Sequence, residues 1–236
     1  VQFGGIGKDL LEEVIGQQYK LMRNVIPMHK KLSESGQVEI TFTPFYHPIL
    51  PLIADTDLAT IDAHGSTLPP RFNHPEDATA QIERGAAFYR ERFGRAPSGM
   101  WPSEGSVGEH VVPLIADAGV KWIATDRGVL EKSGVFGYET EDPEILLRPY
   151  AAGPAGHRVS VFFRHTRLSD DIGFSMQDYA DYDRAAEEYL SWVREGFARR
   201  VKDPGDRILS FVLDVIETGS FPRSCGRAFL RGIYRR

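Results

Sequence analysis

Cysteine is almost missing from this chain: Cys225 stands alone among 236 residues, which excludes an intrachain disulfide framework and an all-cysteine zinc site. Long apolar runs are missing too. No stretch approaches the roughly 18 residues that a membrane-spanning helix requires, and the first residues lack the basic-then-apolar order of a secretion signal. Positive charge is not in excess. A net charge of -5 gives no electrostatic drive toward a phosphate backbone, so nucleic acid and membrane are poor partners. Dense metal-ligand spacing of the HExxH kind does not occur. Asp55, His64 and His47, or His74 and Asp77, make only scattered ligand sets, which leaves a metal-dependent polysaccharide deacetylase as a minor alternative. Neither a metal nor any other cofactor is expected. A reducing, cytoplasmic setting suits the lone cysteine. Val1 in place of Met reads as the middle of a longer chain, with a lost leader left open.

What remains is a composition of 42% hydrophobic and 26% charged residues, enough to bury the core of one α/β domain. Residues 8–33 carry Leu10, Leu11, Val14, Leu21, Val25, Met28 and Leu32 at helical spacing, with a break expected near Pro27 and an end at Gly36. Residues 38–43 alternate polar and apolar and predict a strand closed by Pro44. A long loop of residues 45–73 follows, and loops of that length are often functional. Ala78, Ile82, Ala86, Tyr89 and Phe93 predict a helix over 75–93, stopped by Gly94. A short strand over 99–101 and a helix over 107–118 come next, the helix kinked or started late by Pro113. Further strands are predicted over 120–124, 145–147, 158–163 and 208–213. The last helix spans 177–198, with Tyr182, Ala186, Tyr189, Val193 and Phe197 inward. Five or six strands are too few for a closed barrel, so the chain reads as an open sheet or a piece of a barrel.

Polar residues gather just after these strands: His47, Glu104, Asp126, Arg164, His165 and Asp214. In α/β folds the carboxyl ends of parallel strands share one rim, so residues distant in sequence can meet there. Cleaving a glycosidic bond needs a proton for the leaving oxygen and negative charge opposite an oxocarbenium-like carbon, tasks that two carboxylates divide. Glu104, in the turn Trp101-Pro102-Ser103-Glu104-Gly105, and Asp214, closing an apolar run, are the candidate pair. Each also has a plain structural reading: Glu104 as a helix-start carboxylate ahead of Val107, Asp214 as a strand-end cap. Trp101 offers a face for a sugar ring or is simply core. Arg164 could orient a carboxylate or pair with Asp170 or Asp171, and Asp126 could line the cleft or pair with Arg127. His47 and His165 could each donate to a sugar hydroxyl.

The segments Gly36-Gln37-Val38-Glu39-Ile40-Thr41, Pro44-Phe45-Tyr46-His47-Pro48-Ile49-Leu50-Pro51-Leu52, Gly99-Met100-Trp101-Pro102-Ser103-Glu104-Gly105-Ser106-Val107 and Phe163-Arg164-His165-Thr166-Arg167-Leu168-Ser169-Asp170-Asp171-Ile172-Gly173-Phe174 together resemble glycoside hydrolase family 57. That resemblance covers residues 1–214. It implies an incomplete, irregular (β/α)7 barrel with its first strands missing, occupying residues 1–236, with 215–236 a divergent C-terminal segment of the same domain. It further implies a retaining hydrolase or transglycosidase acting on α-glucans. Glu104 would be its nucleophile and Asp214 its acid/base, with His47, Trp101, Asp126, Arg164, His165 and Asp170 binding substrate and no metal in the chemistry. Two departures stand out: no upstream His-Gln-Pro segment is present, and Val215-Ile216-Glu217-Thr218-Gly219-Ser220 replaces the usual Gly-Glu-Asn. The expectation for the isolated 236-residue chain is marginal stability or inactivity. A non-catalytic carbohydrate-binding relative is the alternative.

Overall fold

A computed structural model describes residues 7–62, 64–134, 137–175, 179–203, 205–213 and 225–235. At its centre is an open four-stranded mixed sheet in the order β1-β2-β4-β3, where β1 is Gly99–Met100, β2 Trp122–Asp126, β3 Tyr150–Ala152 and β4 Val159–Arg164. This is the kind of sheet that an incomplete (β/α) barrel presents. β1, β2 and β4 run parallel, with Met100 opposite Ile123 and Asp126 opposite Arg164. β3 folds back antiparallel onto β4.

Two predicted strands are reduced to single bridges. Of residues 38–43 only Phe42 pairs, in parallel with Met100. The reason lies in the partner: Pro97 and Pro102 bracket β1 and leave it two residues long, so it offers no ladder to extend. Of residues 208–213 only Ser210 pairs, in parallel with Arg164, and Ile208 and Phe211 remain exposed. Residues 145–147 are not a strand. Asp142 accepts from the Glu144 amide and Pro143 sits in the first turn, so the segment starts a one-turn helix, Pro143–Leu146. β3 went unpredicted, although Gly153 (φ 99°) and Gly156 (φ 88°) supply the reversal that joins it to β4.

The predicted helix over 75–93 is present as Pro75–Phe93. The helix expected over 107–118 starts late, at Val112–Asp117, with Pro113 accommodated in its first turn. The one expected over 177–198 begins at Tyr182, capped by Asp181, and continues into a π turn over Arg194–Ala198. Lys8–Glu34 is unbroken through Pro27, contrary to the expected interruption, and only Ser33 on it is buried. Among the described residues no helix is long and apolar enough to cross a membrane. Leu50, Ile82, Met100, Ile115 and Ile123 are fully buried and form the core between the parallel strands and the helices.

The segment 40–46 lacks a strand ladder and is held instead by one helix face. Gln81, Gly85 and Tyr89 recur every four residues and so share a stripe of the helix Pro75–Phe93. The Tyr89 hydroxyl donates to the Ile40 carbonyl at 2.9 Å. The Gln81 side-chain oxygen accepts from the Tyr46 amide at 2.8 Å, and its carbonyl accepts from Phe45 at 2.9 Å. Between them Gly85 lets the helix approach closely: a Cβ there would lie 2.8 Å from the Thr43 carbonyl oxygen and 2.9 Å from the Phe42 ring. A Gly85→Ala variant must therefore push residues 42–43 off the helix. It is expected to lose about 1–3 kcal/mol in denaturant unfolding, against an unchanged value if the approach were slack.

Candidate active site

The parallel strand ends place their following residues along one rim, in the spatial order His47, Glu104, Asp126, then Arg164 and His165. At the β1 end, Ser103–Gly105 forms a single 3-10 turn with Glu104 in the left-handed region (φ 57°, ψ 19°). The turn is pinned from the neighbouring strand, where the fully buried Thr125 hydroxyl donates to the Gly105 carbonyl. Trp101 packs over it, with its ring 3.1 Å from where a Gly105 Cβ would sit, and is partly buried. The Glu104 side chain is therefore not a helix-start cap. It projects outward, 73% exposed, and Oε1 accepts from His47 Nε2 at 3.1 Å.

His47 is also left-handed (φ 66°), and its amide donates to the Pro44 carbonyl at 2.7 Å. Among the described residues, His47 and Glu104 are the only non-glycine residues with positive φ, and they touch each other. Such backbone costs on the order of 1–3 kcal/mol per residue and persists where surroundings over-determine it, typically at functional sites. Behind His47, Thr43 Oγ1 lies 3.1 Å from Nδ1 and 3.5 Å from Ser103 Oγ.

Asp126, Arg164 and Asp170 form a second cluster one strand along. Arg164 donates through Nε to Asp126 at 2.6 Å and through Nη1 to Asp170 at 3.2 Å. Asp126 also accepts from the Gly128 amide at 2.7 Å and the Thr166 hydroxyl at about 3 Å. The Arg127 partner considered for Asp126 instead pairs with Glu141 at 3.2 Å. His165 turns inward: its Nδ1 accepts from the Leu168 amide at 3.1 Å, its own amide donates to Ser210 at 3.0 Å, and its ring meets Phe197 edge-on. Asp214 lies outside the described residues, four positions after Ser210.

Two concavities flank this rim. One, of about 490 Å³, adjoins the Glu104 turn and is lined by Ile49, Leu52, Ser106, Val107, His110 and Val129 among others. The other, of about 660 Å³, opens at His165 between Glu141, Arg167, Asp171, Trp192 and Arg200. Glu104 lines neither, and what distinguishes it is its hydrogen bond and its backbone. Three of the residues considered for a metal, His47, Asp55 and His74, are otherwise engaged. Asp55 is bound by Arg71 and Asn73, and the Arg71 hydrogen bonds hold its carboxyl down to about 2. His74 pairs with Glu76. Among the described residues no three side chains converge as metal ligands.

The site residues that sequence reasoning passed over are Thr43, Ser103 and Thr125, the hydroxyls behind the rim. Thr125 carried a signal, since a threonine ends an otherwise apolar strand just before Asp126. Thr43 carried none.

A model of glycosyl hydrolase family 57 matches residues 6–236. Alpha-amylase 1 of Dictyoglomus thermophilum is 28% identical over 138 residues, 56% of this chain but 16% of the amylase. Among solved structures, the 4-alpha-glucanotransferase from Thermococcus litoralis superposes with a TM-score of 0.60 at 21% identity, covering 89% of this chain and 27% of that one. A branching enzyme of the same family from Pyrococcus horikoshii gives 0.62 at 16% identity, over 95% and 46%. At these identities the superpositions establish the fold, and this chain spans less than half the length of each of these three proteins.

Burial pushes the His165 imidazole below its ordinary value of 6.5, helped by the charge of Arg127. The fold thus favours the neutral ring, whereas the unfolded chain protonates it more readily. Its contribution is complete above about pH 6.5 and drains away as pH falls toward the lowered folded value. His165→Asn keeps an acceptor for the Leu168 amide without the titration. Its melting temperature should fall less than the wild type's between about pH 7.5 and about pH 5, and parallel slopes would refute the assignment.

Proposed function

This chain belongs to glycosyl hydrolase family 57, and on that premise we propose that it carries part of the catalytic barrel of a retaining enzyme acting on α-glucans. The named relatives are an amylase, a glucanotransferase and a branching enzyme, and hydrolysis and glucan transfer can both proceed through a covalent glycosyl-enzyme intermediate in the double-displacement scheme. In this reading the parallel strands β1, β2 and β4 belong to an irregular seven-stranded barrel. Glu104 attacks the anomeric carbon while the bond to the leaving oxygen breaks. Asp214 gives that oxygen its proton, then takes one from water or from an acceptor hydroxyl as the sugar is released.

The observation that carries the assignment is the Glu104 carboxylate: exposed at the strand-end rim, held by one imidazole, on a backbone in a conformation that a glutamate rarely adopts. A single N–H donor orients one carboxylate oxygen while leaving the other free to attack. Asp214 is supported by its place in the sequence, four residues after Ser210. Ser210 itself bridges in parallel to Arg164, at the end of β4. His47 holds the nucleophile, Trp101 backs it, and Asp126, Arg164, Asp170 and His165 form the adjoining wall on which the sugar is proposed to rest.

The test uses 5-fluoro-α-glucosyl fluoride, whose fluoride leaves without a proton donor and so isolates the first displacement from Asp214. A single displacement needs no turnover, so even a chain expected to be inactive as a catalyst should gain one glycosyl mass, mapped to Glu104, and Glu104→Gln is expected to lose the adduct, slowing labelling by about a thousandfold or more. An adduct on another residue, or undiminished labelling of the Gln variant, rejects the assignment. Binding of malto-oligosaccharide without labelling of the parent chain would favour a non-catalytic relative.

A further inference from the structure

We propose that Thr43 is a positioning residue for the nucleophile, selecting through His47 the ring tautomer that donates to Glu104. The inference rests on the reading of Glu104 above but is tested apart from it. A neutral imidazole carries one proton. If it is to donate from Nε2 to a carboxylate 3.1 Å away, Nδ1 must be the bare acceptor. Thr43 Oγ1 lies 3.1 Å from Nδ1, so its hydroxyl donates there and the Nε2–H tautomer is the one stabilised. Thr43 then has lone pairs left for the Ser103 hydroxyl, 3.5 Å away and fully buried. Ser103 directly precedes Glu104, so one hydroxyl touches both the ring that holds the carboxylate and the turn that presents it.

Thr43 is itself placed by features far from the chemistry. Gly85 brings the helix Pro75–Phe93 against its carbonyl, and Phe42 beside it is tied to β1 through hydrogen bonds with Gly99 and Trp101. The chain from Gly85 to Thr43 to His47 to Glu104 therefore links the helix face to the reacting carboxylate. Removing only the hydroxyl leaves the rest of that chain standing, so Thr43→Val reports on the proton arrangement rather than on the fold.

Two readouts test this. In nitrogen-15 NMR of the chain as it is, the His47 ring is expected as the Nε2–H tautomer, moving toward Nδ1–H in Thr43→Val and returning in Thr43→Ser. In labelling by 5-fluoro-α-glucosyl fluoride, Thr43→Val is expected to lower the maximal rate about tenfold, the worth of one hydrogen bond to a charged group's partner, with the half-saturating concentration within about twofold. Thr43→Ser should restore most of that rate. A Val variant with wild-type tautomer and wild-type labelling overturns the proposal, and so does a Ser variant as slow as Val. Should Glu104→Gln label like the parent, the nucleophile reading has failed, while the tautomer measurement still decides whether Thr43 governs His47.

Discussion

The arrangement depends on parallel pairing. Phe42 with Met100, β1 with β2, β2 with β4, and Arg164 with Ser210 all run in one direction, so each segment delivers its next residues to the same edge. Parallel strands demand long crossovers, and here the crossovers are helices whose apolar stripes cover the sheet. The helix Pro75–Phe93 does more than cover. Its Gln81, Gly85 and Tyr89 stripe grips the segment 40–46 where no ladder can, because β1 is only two residues long. A short strand is thus compensated by a helix face, and the residue presented beyond that grip is His47.

Strain and support are concentrated at one point. Two non-glycine residues in the left-handed region each carry a cost of order 1–3 kcal/mol, and they face one another through a hydrogen bond. The surrounding bonds over-determine both. Pro44 holds the His47 amide, Thr125 holds Gly105, Trp101 lies on the turn, and Phe42 accepts from the Trp101 amide. None of these bonds would be needed to present a solvated glutamate in a relaxed loop. Their presence fits a carboxylate whose direction matters.

Much of the rim was legible in the sequence, because polar residues after apolar runs are a local pattern: Glu104, His47, Asp126, Arg164 and His165 all sit where that pattern placed them. The helix Pro75–Phe93 was legible for the same reason, through its apolar period. What could not be read was pairing, which depends on a partner's length. Residues 38–43 have good strand alternation, yet prolines sixty residues away shorten the strand they would pair with. Residues 145–147 look like a strand by composition, but the Asp142-Pro143-Glu144 start signal outweighs three apolar side chains. The Gly153-Pro154 turn before β4 was readable and marks a hairpin that the apolar count alone does not reveal. Gln81 and Gly85 were passed over because neither residue type carries an apolar signal, although Gly85 is buried on the same face as Tyr89; their role is visible only once Thr43 and Tyr46 are seen against them.

Hydrogen-bond occupancy separates the rim carboxylates by task. Asp126 accepts from Arg164, Thr166 and the Gly128 amide, so both its oxygens are committed to joining β2 to the segment after β4. An attacking oxygen needs a free lone pair and room for a carbon to approach, and Asp126, about three-quarters buried, offers neither. Asp170 shares the same guanidinium. Glu104 has the opposite character: one imidazole donor on Oε1 and 73% exposure. A carboxylate that is fully bonded keeps a scaffold in register, whereas one held by a single donor keeps its reach. On this ground the same rim accommodates both kinds, and the nucleophilic role is proposed for Glu104, the one lightly bonded carboxylate there that also sits on a left-handed backbone.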